Sequence, residues 1–113
     1  MPTQSVIADF TPKGAIKMLT HVVLFKFKEE TSAVEAAQLE ADLKELPSVI
    51  AEIREFRVGR DIVRSERSYD LALVSAFDDL AAMQRYQVHP AHQKVVALVK
   101  AICSGVVAVD FTE

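Results

Sequence analysis

The sequence predicts an α+β domain in which strands and helices follow the order β-α-β-β-α-β. Three observations predict this class. Two segments, Leu19–Lys28 and Ser68–Phe77, alternate and are rich in β-branched and aromatic residues, as strands are. Each is followed by a segment whose apolar residues recur at helical spacing, and Pro90 interrupts the second of these. A length of 113 residues fits one domain.

The first 17 residues are predicted to be an extension outside the domain, which spans residues 18–113. Pro2, Pro12 and Gly14 interrupt this segment, and it has no sustained apolar period. It also lacks the basic and then apolar pattern of a signal peptide. With the single cysteine Cys103 and no apolar run near the roughly 20 residues that cross a bilayer, we expect a cytoplasmic protein that does not enter membranes.

The first strand, Leu19–Lys28, is apolar on both faces at its centre, with His21, Val23 and Phe25 on one side. The helix Thr31–Leu46 follows, and Ser32 with Glu35 gives it the pattern of a capping box. Ala36, Leu39, Leu43 and Leu46 form its apolar stripe, and Pro47 ends it.

Besides the third strand, Ser68–Phe77, the rest of the chain contains four more predicted elements. Ile53–Val58 is the second strand, with Gly59 marking its end or a bulge. After the third strand, Asp78 or Asp79 caps a helix that runs to His89. The remaining elements are a helix over Ala91–Cys103 and a strand over Val106–Phe111. This order is the ferredoxin-like pattern, a four-stranded antiparallel sheet with helices on one face.

The predicted sheet leaves an apolar face without helices. An apolar sheet face of this extent usually marks an interface. Two such faces packed together would form a closed barrel of eight strands with two-fold symmetry, so we expect a homodimer. The residues predicted on this face are Val22, Leu24, Ala72, Val74, Ala76, Val106 and Ala108.

Charge and glycine content exclude several partners. The net charge is −3, and the arginines between residues 54 and 67 alternate with acidic residues instead of forming a basic patch. Nucleic acid is therefore not an expected partner. With three glycines and no glycine-rich motif, phosphate-cradling loops are not expected either.

All three histidines lie in two segments, His21 on the first strand and His89 and His92 around Pro90. If the His21 face of that strand meets the helices, His21 and His92 line one space between helices and sheet. His92 shares the apolar stripe of its helix with Val95 and Val99, and His21 shares a strand face with Val23. Each could be a structural core residue or a functional group. His89 directly precedes Pro90, where an imidazolium suits the negative end of a helix. The spacing H-P-x-H is not that of a metal site, so no metal is expected.

Four segments together resemble the stress-responsive A/B barrel (Dabb) family. They are THVVLFKFK at Thr20–Lys28, YDLALVSAF at Tyr69–Phe77, YQVHPAH at Tyr86–His92 and VDF at Val109–Phe111. The third matches the family signature Y-x-x-H-P-x-H, and the resemblance covers Met18–Glu113. It implies a dimeric α+β barrel but no single function.

Some plant members of this family are polyketide cyclases that need no cofactor. In them the tyrosine and the last histidine of the signature form an acid/base pair, which implies those roles for Tyr86 and His92. The resemblance also places His21 in the same cavity. These cyclases carry another histidine two positions after the third-strand tyrosine, and Leu71 occupies that position here.

The leading hypothesis is a homodimer that binds a small apolar or aromatic molecule, without a cofactor or metal. The residues expected to contact this ligand are His21, Val23, Phe25 and His89, beside Tyr86 and His92. An alternative is a cofactor-free enzyme, cyclase-like or monooxygenase-like, that uses Tyr86 and His92 as an acid/base pair. A second alternative is a structural stress protein without a ligand, so whether the protein is an enzyme stays open.

Overall fold

A computed structural model describes residues 17–113 and shows one four-stranded antiparallel sheet with three α-helices. The sheet order is β2-β3-β1-β4, which confirms the predicted ferredoxin-like α+β fold. Nearly all of the predicted extension lies outside the described residues. The elements are β1 Leu19–Phe27, α1 Ala33–Glu45, a short 3₁₀ helix Leu46–Ser48, β2 Ile53–Arg60, β3 Leu71–Phe77, α2 Leu80–Val88, α3 Pro90–Ile102 and β4 Cys103–Thr112.

Side-chain caps fix where the first two helices begin. The Glu35 N–H donates to Ser32 Oγ at 3.1 Å, and the Ser32 N–H donates to Glu35 Oε1 at 2.9 Å. This reciprocal pair is the capping box that the sequence predicts. Asp79 caps α2, because its Oδ1 accepts a hydrogen bond from the Ala82 N–H at 2.8 Å.

His89 and Pro90 join α2 to α3. The His89 N–H donates to the Tyr86 carbonyl at 3.1 Å, which ends α2, and Pro90 begins α3 at a position that needs no N–H donor. The Ala91 N–H donates to His89 Nδ1 at 3.0 Å. His89 thus lies at the C-terminal end of α2, as the sequence predicts, and its ring caps the start of α3.

Strand β1 lies in the middle of the sheet and sets its register. His21 lies between Ser75 of β3 and Asp110 of β4, and Val23 lies between Leu73 and Ala108. Burial along β1 alternates, so this row faces the helices and the residues between face away. The core is formed by apolar residues of the sheet and of all three helices, chiefly Leu19, Val23, Phe25, Leu39, Leu43, Leu46, Ile50, Leu71, Leu73, Phe77, Met83, Tyr86, Val95 and Ile102.

Strand β4 departs from the sequence prediction. It begins at Cys103, and its register against β1 shifts beside Phe27. Val106 and Ala108 therefore pair with the buried Phe25 and Val23 on the helix side, and their predicted place on the open face is wrong. Four consecutive apolar residues hide the phase of the alternation, so only the pairing reveals it. The open face of β4 carries Val107, Val109 and Phe111 instead.

Strands β2 and β3 also have different limits from those predicted. Gly59 lies inside β2, where it pairs with Ala72 of β3. The irregularity in the pairing of these two strands lies between Ile53 and Glu55. The third strand begins at Leu71 instead of Ser68, because hydrogen bonds between Ser65 and Ser68 close a turn there.

Asp70 fastens the ends of β1 and β3 together. Its N–H donates to the Phe25 carbonyl at 2.8 Å, and its Oδ2 accepts from the Phe27 N–H at 2.7 Å. Its Oδ1 accepts from Arg64 Nη2 at 2.7 Å. Burial alone would raise the pKa of Asp70, but these hydrogen bonds and the charges of Arg64 and Lys26 outweigh it, so the pKa lies below its ordinary value.

We predict that Asp70→Asn lowers the free energy of unfolding by about 1–3 kcal/mol at pH 7, because an amide cannot accept from both donors. A depressed folded-state pKa means that the carboxylate stabilises the fold above about pH 4, the unfolded value. This contribution is lost as the pH falls through the folded-state pKa. Urea unfolding at pH 7 and pH 3 should therefore show a smaller difference at pH 3. The exposed Glu66 provides the control variant Glu66→Gln, which should change little at either pH.

Candidate functional site

A cavity of about 300 Å³ lies between the sheet and α3. It is bordered by the helix side of β1 and by residues of β3, β4 and all three α-helices. Apolar side chains form most of its wall, and the polar side chains are few. The lining residues are His21, Val23, Phe25, Leu43, Leu73, Tyr86, His92, Val95, Val96, Val99, Lys100 and Val106.

The break at Pro90 brings Tyr86 and His92 together. Their ring centroids are 4.5 Å apart, although the residues belong to different helices. The ring of His21 reaches the same place from β1, with its centroid 6.3 Å from that of Tyr86. The structure thus places the three polar residues singled out by the sequence in one cavity.

His92 is held in a defined tautomer. Its Nδ1 lies 3.0 Å from the backbone carbonyl of Gln87, which can only accept a hydrogen bond. Nδ1 therefore carries the proton, and Nε2 of the neutral ring has a free electron pair. Burial lowers the pKa of His92, and it outweighs the opposing effect of the Gln87 carbonyl. A neutral His92 near pH 7 can accept a proton from a bound molecule.

Tyr86 contributes a hydroxyl group that lacks a hydrogen-bond partner among the described residues. The side chain is fully buried, with its ring centroid 4.8 Å from that of Phe77. Burial raises the pKa of the phenol far above its ordinary value, so the group stays protonated and can donate. A buried polar group without a partner costs about 1–3 kcal/mol. Because the hydroxyl oxygen has almost no accessible surface, a carbonyl oxygen of a ligand would supply the missing acceptor only after neighbouring side chains move.

His21 is oriented by a residue that sequence reasoning did not select. Its Nδ1 contacts the carboxylate of Asp110, the directly opposite residue on β4. On the other side, Ser75 donates from its hydroxyl to the His21 carbonyl at 3.3 Å. The one available signal for Asp110 was an acidic residue within an otherwise apolar strand, and it becomes meaningful only once the register is known.

The remaining predicted site residues divide into two groups. Val23 and Phe25 line the cavity, whereas His89 does not. Leu71, at the position of the additional cyclase histidine, is buried opposite Phe25 and does not line the cavity either. Lys100 lines the cavity and was missed. The sequence feature that could have indicated Lys100 is its position eight residues after His92, which puts both residues on the same side of the helix.

Two findings bear on metals and membranes. Residues 17–113 contain no group of three or more His, Cys, Asp or Glu side chains arranged to hold a metal ion. In the same part of the chain, no helix combines the length and apolar character required to cross a bilayer.

The fold and this cavity define a ferredoxin-like domain with a pocket between helices and sheet. The model of the stress responsive A/B barrel domain family, Dabb, matches residues 19–113, and the chain belongs to that family. This confirms the family that the four sequence segments indicated.

Proteins from several organisms are similar to this chain. An uncharacterized protein of Streptomyces coelicolor is 36% identical over 94 residues, which are 80% of this chain and 96% of the relative. A dimeric ferredoxin-like protein of unknown function from Thermobifida fusca is 25% identical with a TM-score of 0.80, covering 91% of this chain and 97% of that one. A Dabb family protein from Mesorhizobium loti is 27% identical with a TM-score of 0.69, covering 86% and 97%.

We predict that Tyr86→Phe leaves the free energy of unfolding unchanged or raises it by up to about 1 kcal/mol, because it removes a buried hydroxyl that lacks a partner. Chemical denaturation measures this, and Tyr69→Phe at the half-buried second tyrosine is the matched control. A loss above about 1 kcal/mol would mean that the hydroxyl already has a structural partner. The group would then have no spare donor for a ligand.

Proposed function

We propose that this protein is a homodimeric, cytoplasmic member of its family that binds a small, mostly apolar or aromatic molecule in the cavity beside His92. The observation that carries the proposal is the buried Tyr86 hydroxyl, which lacks a partner within residues 17–113 and belongs to a residue lining a mostly apolar space. A buried free thiol at Cys103 fits the reducing conditions of the cytoplasm.

The size and walls of the cavity restrict the ligand. About 300 Å³ lies at the lower end of the range for ligand pockets and holds roughly ten water-sized groups. Valine, leucine and phenylalanine side chains favour an apolar body through the hydrophobic effect. A single hydrogen-bond acceptor on the ligand would satisfy Tyr86, and His92 could accept a proton from it.

The open face of the sheet supports the dimer. At its centre, Val74 lies opposite Val22, and Val22 also lies opposite Val109 on β4. Of these, Val109 is 62% exposed in the single chain, which is unfavourable for an apolar side chain in water. The solved relatives from Thermobifida fusca and Jannaschia are described as dimeric. Pairing two open faces would bury this surface.

We predict that wild-type protein sediments as a dimer at micromolar concentration and that Val74→Asp sediments as a monomer. The substitution places an unpaired charge inside the interface, at a cost of several kcal/mol. The exposed Val34 on α1 offers a matched control, because Val34→Asp makes the same chemical change at an exposed helix position outside the sheet. That variant should remain dimeric. A monomeric wild-type chain would contradict the proposed assembly.

A second candidate function is general acid/base catalysis by Tyr86 and His92. It is favoured by their 4.5 Å ring separation and by the fixed tautomer of His92, which leaves Nε2 to take a proton. Tyr86 would donate to the oxygen of the developing enolate. This pair could remove a proton beside a carbonyl group without a cofactor, at a gain of about 10²–10⁴-fold in rate.

Acetophenone is a suitable probe for both candidates, since it is small, aromatic and enolisable. We predict that it binds the wild-type protein in an NMR titration and that His92→Ala weakens this binding. Exchange of its methyl protons in D₂O reports catalysis separately from binding. If the protein is an enzyme, His92→Ala should slow the catalysed exchange by about 10²-fold or more.

Gln93→Ala is the matched control. Gln93 is exposed on the same turn, and its amide donates to the same Gln87 carbonyl at 2.6 Å. That variant should bind the probe as the wild type does. If binding is unaffected by His92→Ala while stability falls by about 1–3 kcal/mol, His92 is a core residue only.

A further inference from the structure

Lys100 gives the cavity a second polar end. It lies on α3 eight residues after His92, which places the two about 12 Å apart along the helix axis. Both side chains line the same cavity. The opposite wall, formed by β1, spans a similar length, because His21 and Phe25 are four residues, or about 13 Å, apart on that strand. His21 lies at the His92 end of the cavity and Phe25 at the Lys100 end.

The polar groups are therefore separated by an apolar middle. Tyr86, His92 and His21 lie at one end, where their rings meet. Val106, which pairs with Phe25, lines the cavity at the other end, and α3 reaches that end at Lys100. The middle is lined by Val23, Leu73, Val95 and Val96.

The charges favour an anion at the Lys100 end. Among residues 17–113, no carboxylate lines the cavity, and the nearby Asp110 contacts His21 at the opposite end. Within residues 17–113, Lys100 makes neither an ion pair nor a side-chain hydrogen bond, whereas Lys44 is paired with Glu40. Lys100 is exposed, so its long apolar stem can cover the cavity while its ammonium group stays at the mouth.

We infer that the ligand is a small carboxylic acid with an apolar body and about ten non-hydrogen atoms in all, a size set by the cavity volume. Its carboxylate binds Lys100 at the mouth, and a carbonyl group at its far end accepts from the Tyr86 hydroxyl. This inference rests on the proposed binding function and adds the chemical class and direction of the ligand.

The test compares four probes of one length by isothermal titration calorimetry: octanoate, 1-octanol, octylamine and 7-oxooctanoate. Wild-type protein should bind octanoate about tenfold more tightly than 1-octanol, as expected for one charge-assisted hydrogen bond. It should bind octylamine more weakly than either. Lys100→Gln should remove this preference and leave the affinity for 1-octanol unchanged. Lys100→Glu should favour octylamine.

Two further variants separate the ends of the cavity. Lys94 is exposed on the same helix but lines a different groove beside Asp42, so Lys94→Gln should bind all four probes as the wild type does. The additional carbonyl of 7-oxooctanoate should strengthen binding relative to octanoate. Tyr86→Phe should abolish that difference while keeping the affinity for octanoate.

The outcomes distinguish this inference from the proposed function. If 1-octanol and octanoate bind equally and Lys100→Gln changes neither, Lys100 is an ordinary solvated lysine. The inference is then overturned, and the cavity remains a binding site. If none of the four probes binds but acetophenone does, the inference alone is overturned. If acetophenone does not bind either, the proposed function itself fails.

Discussion

The structure depends on the central position of β1, which is hydrogen-bonded to a neighbouring strand on each side. Its side chains alternate between two surfaces with different uses. His21, Val23 and Phe25 form one wall of the cavity, while Val22 and Leu24 belong to the open face. A register shift of one residue would exchange these two sets. The hydrogen bonds that Asp70 makes to Phe25 and Phe27, at one end of the β1–β3 pair, oppose such a shift.

The break between α2 and α3 is the second requirement for the site. In a continuous helix, residues six positions apart point about 120° away from each other. Because Pro90 begins a new helix, Tyr86 and His92 approach until their ring centroids are 4.5 Å apart. His89 stabilises both sides of the break through its backbone and its ring. Although His89 does not line the cavity, it thus helps to position His92, which does.

The interior of the cavity connects stability with function. A domain of this size has a modest core, and a cavity with an unpaired hydroxyl reduces what that core contributes. The same apolar surroundings keep Tyr86 protonated and His92 neutral. Burial is unfavourable for the charged forms of both side chains. Tyr86 can therefore donate a proton to a bound molecule, and His92 can accept one.

The sequence alone determined the family, the order of elements, the capping box of α1 and the break at Pro90, because these follow from local spacing and residue type. It also selected His21, Tyr86 and His92. Only the tertiary structure decided the open face of β4, where consecutive valines conceal the alternation. It likewise revealed Asp110 and Lys100, whose places depend on strand register and on helix packing. Pairings between distant segments are set by the whole sheet, so a local pattern does not encode them.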